Sequence, residues 1–169
     1  MDARRSTADA DDRAWDQALR LHGRVEQDLG RALQQGHALG LSEYRALCRL
    51  AVAEHGGMRI QELADAVGLN QSSMSRLVAR LEDEELAERE VCETDRRGVC
   101  VYITDKGRAA QTAAQPTYQR ALTSALDRGA GDPELAAAVH MLRGDGGAES
   151  SCESRPESTA EQARDHQAR

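Results

Sequence analysis

The run from Gln71 to Arg80 sets Gln71, Ser72, Ser73, Ser75, Arg76 and Arg80 close together. On a helix turning about 100° per residue, Ser72, Ser75, Arg76 and Ala79 fall opposite an apolar stripe of Met74, Leu77, Val78 and Leu81. Ser73 and Arg80 flank them. That outward surface is small, hydroxylic and cationic. Hydroxyls and backbone N–H groups at a helix start bind anionic oxygens, and an arginine can donate two hydrogen bonds to guanine O6 and N7. These residue types therefore suit contact with the major groove of a duplex. Taken alone they equally suit a solvated helix face, so the neighbouring elements must decide.

A second group is Asp95, Arg96 and Arg97, in the turn ETDRRG between AEREVC and VCVYI. Two arginines on a projecting tip can reach a minor groove or its phosphates. Asp95 would be repelled there, so its work is internal: paired with Arg97 it holds the guanidinium in one orientation. A charged turn kept soluble by arginines is the plainer reading of the tip alone. Cys92 and Cys100 bracket it. With the turn centred on Arg96 they are cross-strand neighbours, within range of a disulfide, and oxidation would stiffen or distort the tip. In a reducing compartment they would instead be two small strand residues.

Enzymatic readings find no support. No nucleophile stands beside a base at motif spacing, there is no glycine-rich phosphate loop, and the histidines are scattered, so no catalytic residue or cofactor is assigned. The four cysteines, Cys48, Cys92, Cys100 and Cys152, form no CxxC pair, and no metal site is expected.

The positioning elements follow from periodicity. Ile60, Leu63, Ala64 and Val67 make one amphipathic helix, Gly68 supplies a turn with positive φ, and Asn70 caps the helix that carries Ser72 and Arg76. This is helix-turn-helix grammar. Upstream, Trp15 to Gln35 reads as one long helix with Trp15, Ala18, Leu19, His22, Val25, Leu29 and Leu33 near heptad spacing, a stripe that wants a partner surface. Ser42 is the expected cap of a helix burying Tyr44, Leu47, Cys48 and Ala51, and Met58 to Ile60 is a short edge strand. Glu82 to Glu85 place acids at the end of the second helix, where they oppose its dipole and repel phosphate, so only its N-terminal half is expected to enter a groove. A helix over about 105–128 carries Pro116, expected to bend it, and Asp132-Pro133 restarts a helix to about Leu142.

The 169 residues suit one domain with tails. The net charge of −7 argues against a nucleic-acid partner in bulk. Part of it lies beyond residue 143, where six acids face three arginines. The remainder is still mildly acidic, so DNA affinity must come from a local, salt-sensitive patch. Arginine abundance is not itself informative, because a GC-rich coding sequence produces it. No apolar run is long enough to span a membrane and no signal core opens the chain, so a cytoplasmic protein without membrane partners is expected.

A helix-turn-helix followed by a basic-tipped hairpin is a winged helix, and the segment from Leu41 to Arg108 resembles the MarR family of winged-helix transcriptional regulators. The match rests on the helix opening LS, on QELA, on SRLVARLE, on the wing D-x-R at Asp95-Arg96-Arg97, and on the closing I-T-x-x-G at Ile103 to Gly107. It covers roughly residues 13–143. The resemblance implies that Ser72, Ser73, Ser75 and Arg76 touch DNA, that Asp95 and Arg97 form the wing pair, and that first and last helices interlock in a dimer. It also implies a small phenolic or other aromatic ligand between the dimer helices and the DNA-binding lobe, with Trp15, His22, Tyr44 and Arg45 as candidate lining. One position departs: where the family has glycine before the leucine that opens the wing strand, this chain has Glu85, which must strain or shift the turn.

The expected fold is thus mainly α with a small β wing, a winged helix-turn-helix with flanking dimerisation helices. The lead 1–12 is expected to be flexible, 13–36 and 105–143 to be dimerisation helices around a DNA-binding lobe at 41–104, and 144–169 to be a disordered tail. The expected function is a homodimeric, sequence-specific repressor on a pseudo-palindromic operator, released by a small ligand or by thiol oxidation. The alternative is a winged-helix protein-interaction module without DNA binding.

Overall fold

The computed structural model describes residues 2–54, 57–92 and 98–144, with side chains described from Asp9 onward. The expected tail at 145–169 lies outside the described residues. The elements are α1 (Asp2–His37), α2 (Leu41–Val52), β1 (Gly57–Arg59), α3 (Ile60–Val67), α4 (Gln71–Asp83), β2 (Ala87–Val91), β3 (Val99–Ile103), α5 (Asp105–Ala130) and α6 (Ala136–Arg143).

The helix-turn-helix forms where periodicity placed it. Leu63 and Ala64 of α3 and Met74, Leu77, Val78 and Leu81 of α4 are buried. Gly68 takes φ 77°, left-handed space that closes α3 without a Cβ clash. Asn70 then caps α4 through its side chain, which accepts from Ser73 N at 2.8 Å. The three strands run in the order β1-β3-β2, all antiparallel, with β1 at the edge as expected. Their inward residues Ala87, Val101 and Ile103 join Leu33, Leu39, Tyr44, Leu47 and Leu50 in one core beneath α4.

Around this lobe α1, α5 and α6 build a second layer with its own smaller core of Leu21, Leu135, Ala138 and Val139. Arg24–Asp132, Arg20–Glu134 and Arg128–Asp28 ion pairs tie its edges. Arg24, donating to Asp132, holds that carboxyl below its ordinary range.

Several local expectations need correction. The lead expected to be flexible falls within α1, which is helical from Asp2 and contains no glycine or proline over these residues. Leu21, which the expected α1 stripe left out, is buried in the middle of the helix, while Trp15 and Leu19 of that stripe stay exposed within one chain. Gly40, not Ser42, is the N-cap of α2; its N–H is satisfied by Glu43 Oε2 at 2.8 Å. The helix expected from Pro133 begins at Ala136, because Asp132 O first accepts both Leu135 N and Ala136 N in a tight turn. Pro116 lies inside α5, which continues past it as one helix on an exposed face.

Candidate nucleic-acid interface

The start of α4 is built to meet an anion. No acid occupies its first turn, and the Asn70 cap leaves the positive helix end facing outward. Gln71, Ser72, Arg76 and Arg80 are exposed, while Ser73 and Ser75 are half-buried. Arg76 makes no ion pair among the described residues, so its guanidinium remains available for an external acceptor. Arg80 is differently placed: its Nε donates to Glu43 Oε1 at 2.7 Å, and that largely covered carboxylate also holds the start of α2. Sequence grouped Arg80 with the groove-facing residues, whereas the fold employs it as a strut from α4 to α2.

The acidic end of α4 is used internally. Glu82 pairs with Arg89 of β2 at 3.0 Å and accepts Arg89 N at 3.2 Å, and Arg89 Nη2 donates to the Ser75 carbonyl at 2.7 Å. The wing strand is thereby clamped to the recognition helix at two levels. Sequence reasoning missed this clamp. Its signal was an opposite-charge pair flanking the helix exit, visible only as a local charge run.

Glu85 adopts strained rather than shifted geometry. Its φ is 59°, and the turn is closed by Leu86 N on Leu81 O at 2.7 Å and Glu85 N on Glu82 O at 2.9 Å. Lys106 donates to its carboxylate at 2.9 Å and holds that carboxyl below its ordinary range. Thr104 donates to Glu85 O at 2.7 Å and caps α5 by accepting Gly107 N at 3.0 Å. A Cβ on Gly107 would stand 2.0 Å from the Leu86 carbonyl, which explains why the I-T-x-x-G close ends on glycine.

Asp95, Arg96 and Arg97 lie outside the described residues. Their frame is described: Cys92 N donates to Gly98 O at 3.0 Å, and Cys92 and Cys100 are joined by a disulfide, Cα atoms 5.1 Å apart. The strand register pairs Val91 with Val99 and so centres the turn on Asp95, not Arg96. Cys100 is registered against Glu90, and Cys92 lies one residue past the end of β2, where the disulfide draws it to Cys100.

The four residues expected around a ligand do not share one cavity. Tyr44 and Arg45 line a cleft of about 420 Å³ with Cys48, Arg49 and Tyr118, between α2 and α5. Trp15 and His22 line a separate groove with Leu19, Met141 and Leu142, between α1 and α6. Tyr44 stacks on Tyr118 at 4.9 Å, and burial pushes its hydroxyl well above the ordinary phenol range, so it stays neutral. Arg45 pairs with Glu26 of α1 at 2.5 Å, and His22 Nε2 lies 3.5 Å from the same oxygen. Cys48 is a half-buried free thiol that accepts from Gln111. Among the described residues no cluster could hold a metal ion, and no helix is long and apolar enough to cross a membrane.

A capped, outward-facing second helix clamped to a β-hairpin defines a winged helix-turn-helix protein. Comparison with known proteins agrees. Residues 39–99 match the MarR family. Sco3205 of Streptomyces coelicolor, a MarR family transcriptional regulator solved in complex with DNA, is 28% identical, with 76% of this chain and 80% of that one covered at a TM-score of 0.65. AbsC from the same organism is 26% identical, with 76% and 86% covered at a TM-score of 0.64. CouR of Rhodococcus jostii, solved with p-coumaroyl-CoA, is 27% identical, with 73% and 82% covered at a TM-score of 0.59. No curated protein matches the chain. The winged-helix lobe thus matches the MarR family over residues 39–99, and about three quarters of the chain is similar to MarR family transcriptional regulators of known structure.

Proposed function

We propose that the protein is a homodimeric repressor that reads a pseudo-palindromic operator, each subunit setting α4 in the major groove and its wing beside it. The observation that carries this reading is the pairing state of the cations. Arg80 and Arg89 are committed to Glu43 and Glu82, whereas Arg76 stands exposed beside Ser72 with no ion pair among the described residues. Arg76 supplies base contact, the serines and α4 amides hold phosphates, and Asp95, Arg96 and Arg97 act at the wing. Dimerisation is supported by Trp15, Leu19, Met141 and Leu142, large apolar side chains exposed together on the outer layer. Half-sites then lie about one helical turn apart.

Release by a small aromatic acid is proposed at the Tyr44–Tyr118 cleft, where exposed Arg49 offers a cation beside stacked rings and Arg45 is already paired with Glu26. The test is selection of duplexes from a random pool by the purified protein, repeated with Arg76→Ala. Enrichment of an inverted repeat that Arg76→Ala loses supports the reading; unenriched sequences sink it.

A further inference from the structure

We propose that Cys92 and Cys100 form a hydroperoxide-reactive dithiol site, with Arg59 activating Cys92, and that the disulfide they make presets the wing for DNA. The second half rests on the function proposed above; the first does not.

The geometry starts from the sheet. Arg59 of β1 pairs with Cys100 of β3, and Glu90 of β2 pairs with Cys100 from the other side, so all three share one face. Cys92, two residues beyond Glu90, lies on the same face. The space over Gly98 locates the charges. A Cβ there would lie 2.8 Å from Arg59 Nη1 and 3.1 Å from Cys92 Sγ, so the guanidinium and the sulfur converge on one point. Gly98 leaves room for both.

In the reduced protein the two thiols are therefore unequal. A guanidinium near Cys92 stabilises its thiolate, the nucleophilic form, while Glu90 beside Cys100 disfavours a second negative charge. Cys92 is the attacking sulfur. Its thiolate attacks one peroxide oxygen; an S–O bond forms, the O–O bond breaks, and hydroxide leaves and takes a proton to become water. Cys100 then attacks the sulfenic sulfur; the S–S bond forms, the S–O bond breaks, and a second water leaves. Two thiols lose two electrons and hydrogen peroxide gains them. Both cysteines are almost fully covered, at 1% and 9% exposure, which favours a small oxidant over a bulky one.

The consequence for DNA follows from what the bond encloses. Asp95, Arg96 and Arg97 all stand between the two cysteines in sequence. Cross-linking the ends of so short a loop removes freedom that the arginines would otherwise lose on docking. The oxidised form is the tighter binder, the reverse of the release by thiol oxidation expected from the sequence.

The test uses the full chain, reduced with dithiothreitol, freed of it, and titrated with hydrogen peroxide, with thiols trapped and mapped by mass spectrometry. A Cys92–Cys100 bond forming before Cys48 is modified is the expected result, slowed roughly tenfold in Arg59→Gln and kept near the original rate in Arg59→Lys. Early oxidation at Cys48, or an unchanged rate in folded Arg59→Gln, overturns the site. Affinity for a duplex selected by the oxidised protein should fall roughly tenfold on reduction. A Cys92→Ser/Cys100→Ser variant should match the reduced form and ignore peroxide. Equal affinity in both redox states overturns the wing effect while leaving DNA binding intact. Absence of duplex binding in either state overturns the DNA reading and with it the wing effect, while the thiol map still decides the dithiol site.

Discussion

The lobe formed by α2 to β3 and the outer layer formed by α1, α5 and α6 use apolar residues differently. In the lobe every position of the α4 stripe is buried and the outward face of α4 is polar, and the large apolar groups left in water, Val52, Val91 and Val99, lie on α2 and the wing strands. The outer layer closes only half of its own. Leu21, Leu135, Ala138 and Val139 are inside, yet Trp15 is 65% exposed and Leu142 69%. A region that satisfies itself can present charge and hydroxyls to a ligand; one that leaves large apolar groups in water is completed by another surface. On the proposed function, reading DNA and choosing a partner would be carried by different layers.

The widest separation of the two regions comes from charging the outer one. Leu19→Glu with Leu142→Glu should leave the lobe folded, convert a dimer to monomer in analytical ultracentrifugation, and cut affinity for an inverted repeat by roughly 10²–10⁴-fold through lost bivalency. An unchanged sedimentation coefficient would remove the outer layer from the interface.

In the lobe, Leu77→Ala removes a buried side chain at the centre of α4 and should cost about 2–5 kcal/mol in chemical denaturation. Arg76→Ala should leave that stability alone and cost about 1–3 kcal/mol of binding, with relaxed base preference in the selection experiment. A loss spread evenly over all sequences would instead assign Arg76 to phosphate.

Smaller effects sit where the wing leaves the lobe. Glu85→Gly relieves a positive φ at the expense of an exposed pair with Lys106, and should raise stability by about 1 kcal/mol in thermal melts. The least effect is that of pH. The carboxyls of Glu85 and Asp132 are held below their ordinary range by Lys106 and Arg24. Their contribution is present above the ordinary carboxylate range and fades as pH falls through the lowered values. Melting points of Glu85→Gln and Asp132→Asn should therefore converge on the parent in acid; a constant gap would mean that the pairs do not couple to folding.

Much of the lobe was legible in order along the chain because its determinants are local. The 3.6-residue stripe of α4, the left-handed Gly68, the Asn70 cap and the β-branched and aromatic run of β3 each act over a few residues, and the close at Thr104 and Gly107 could be matched as a motif. Tertiary structure decided the rest, because its partners are far apart in sequence. Only packing showed that Arg80 answers to Glu43, that Arg89 reaches back to Ser75, and that Tyr118 stacks on Tyr44. It also divided Trp15 and His22 from Tyr44 and Arg45, and chose Leu21 over Leu19 for the interior. A helix stripe says which residues share a side; which side is covered depends on where α5 and α6 return, and periodicity carries no information about that.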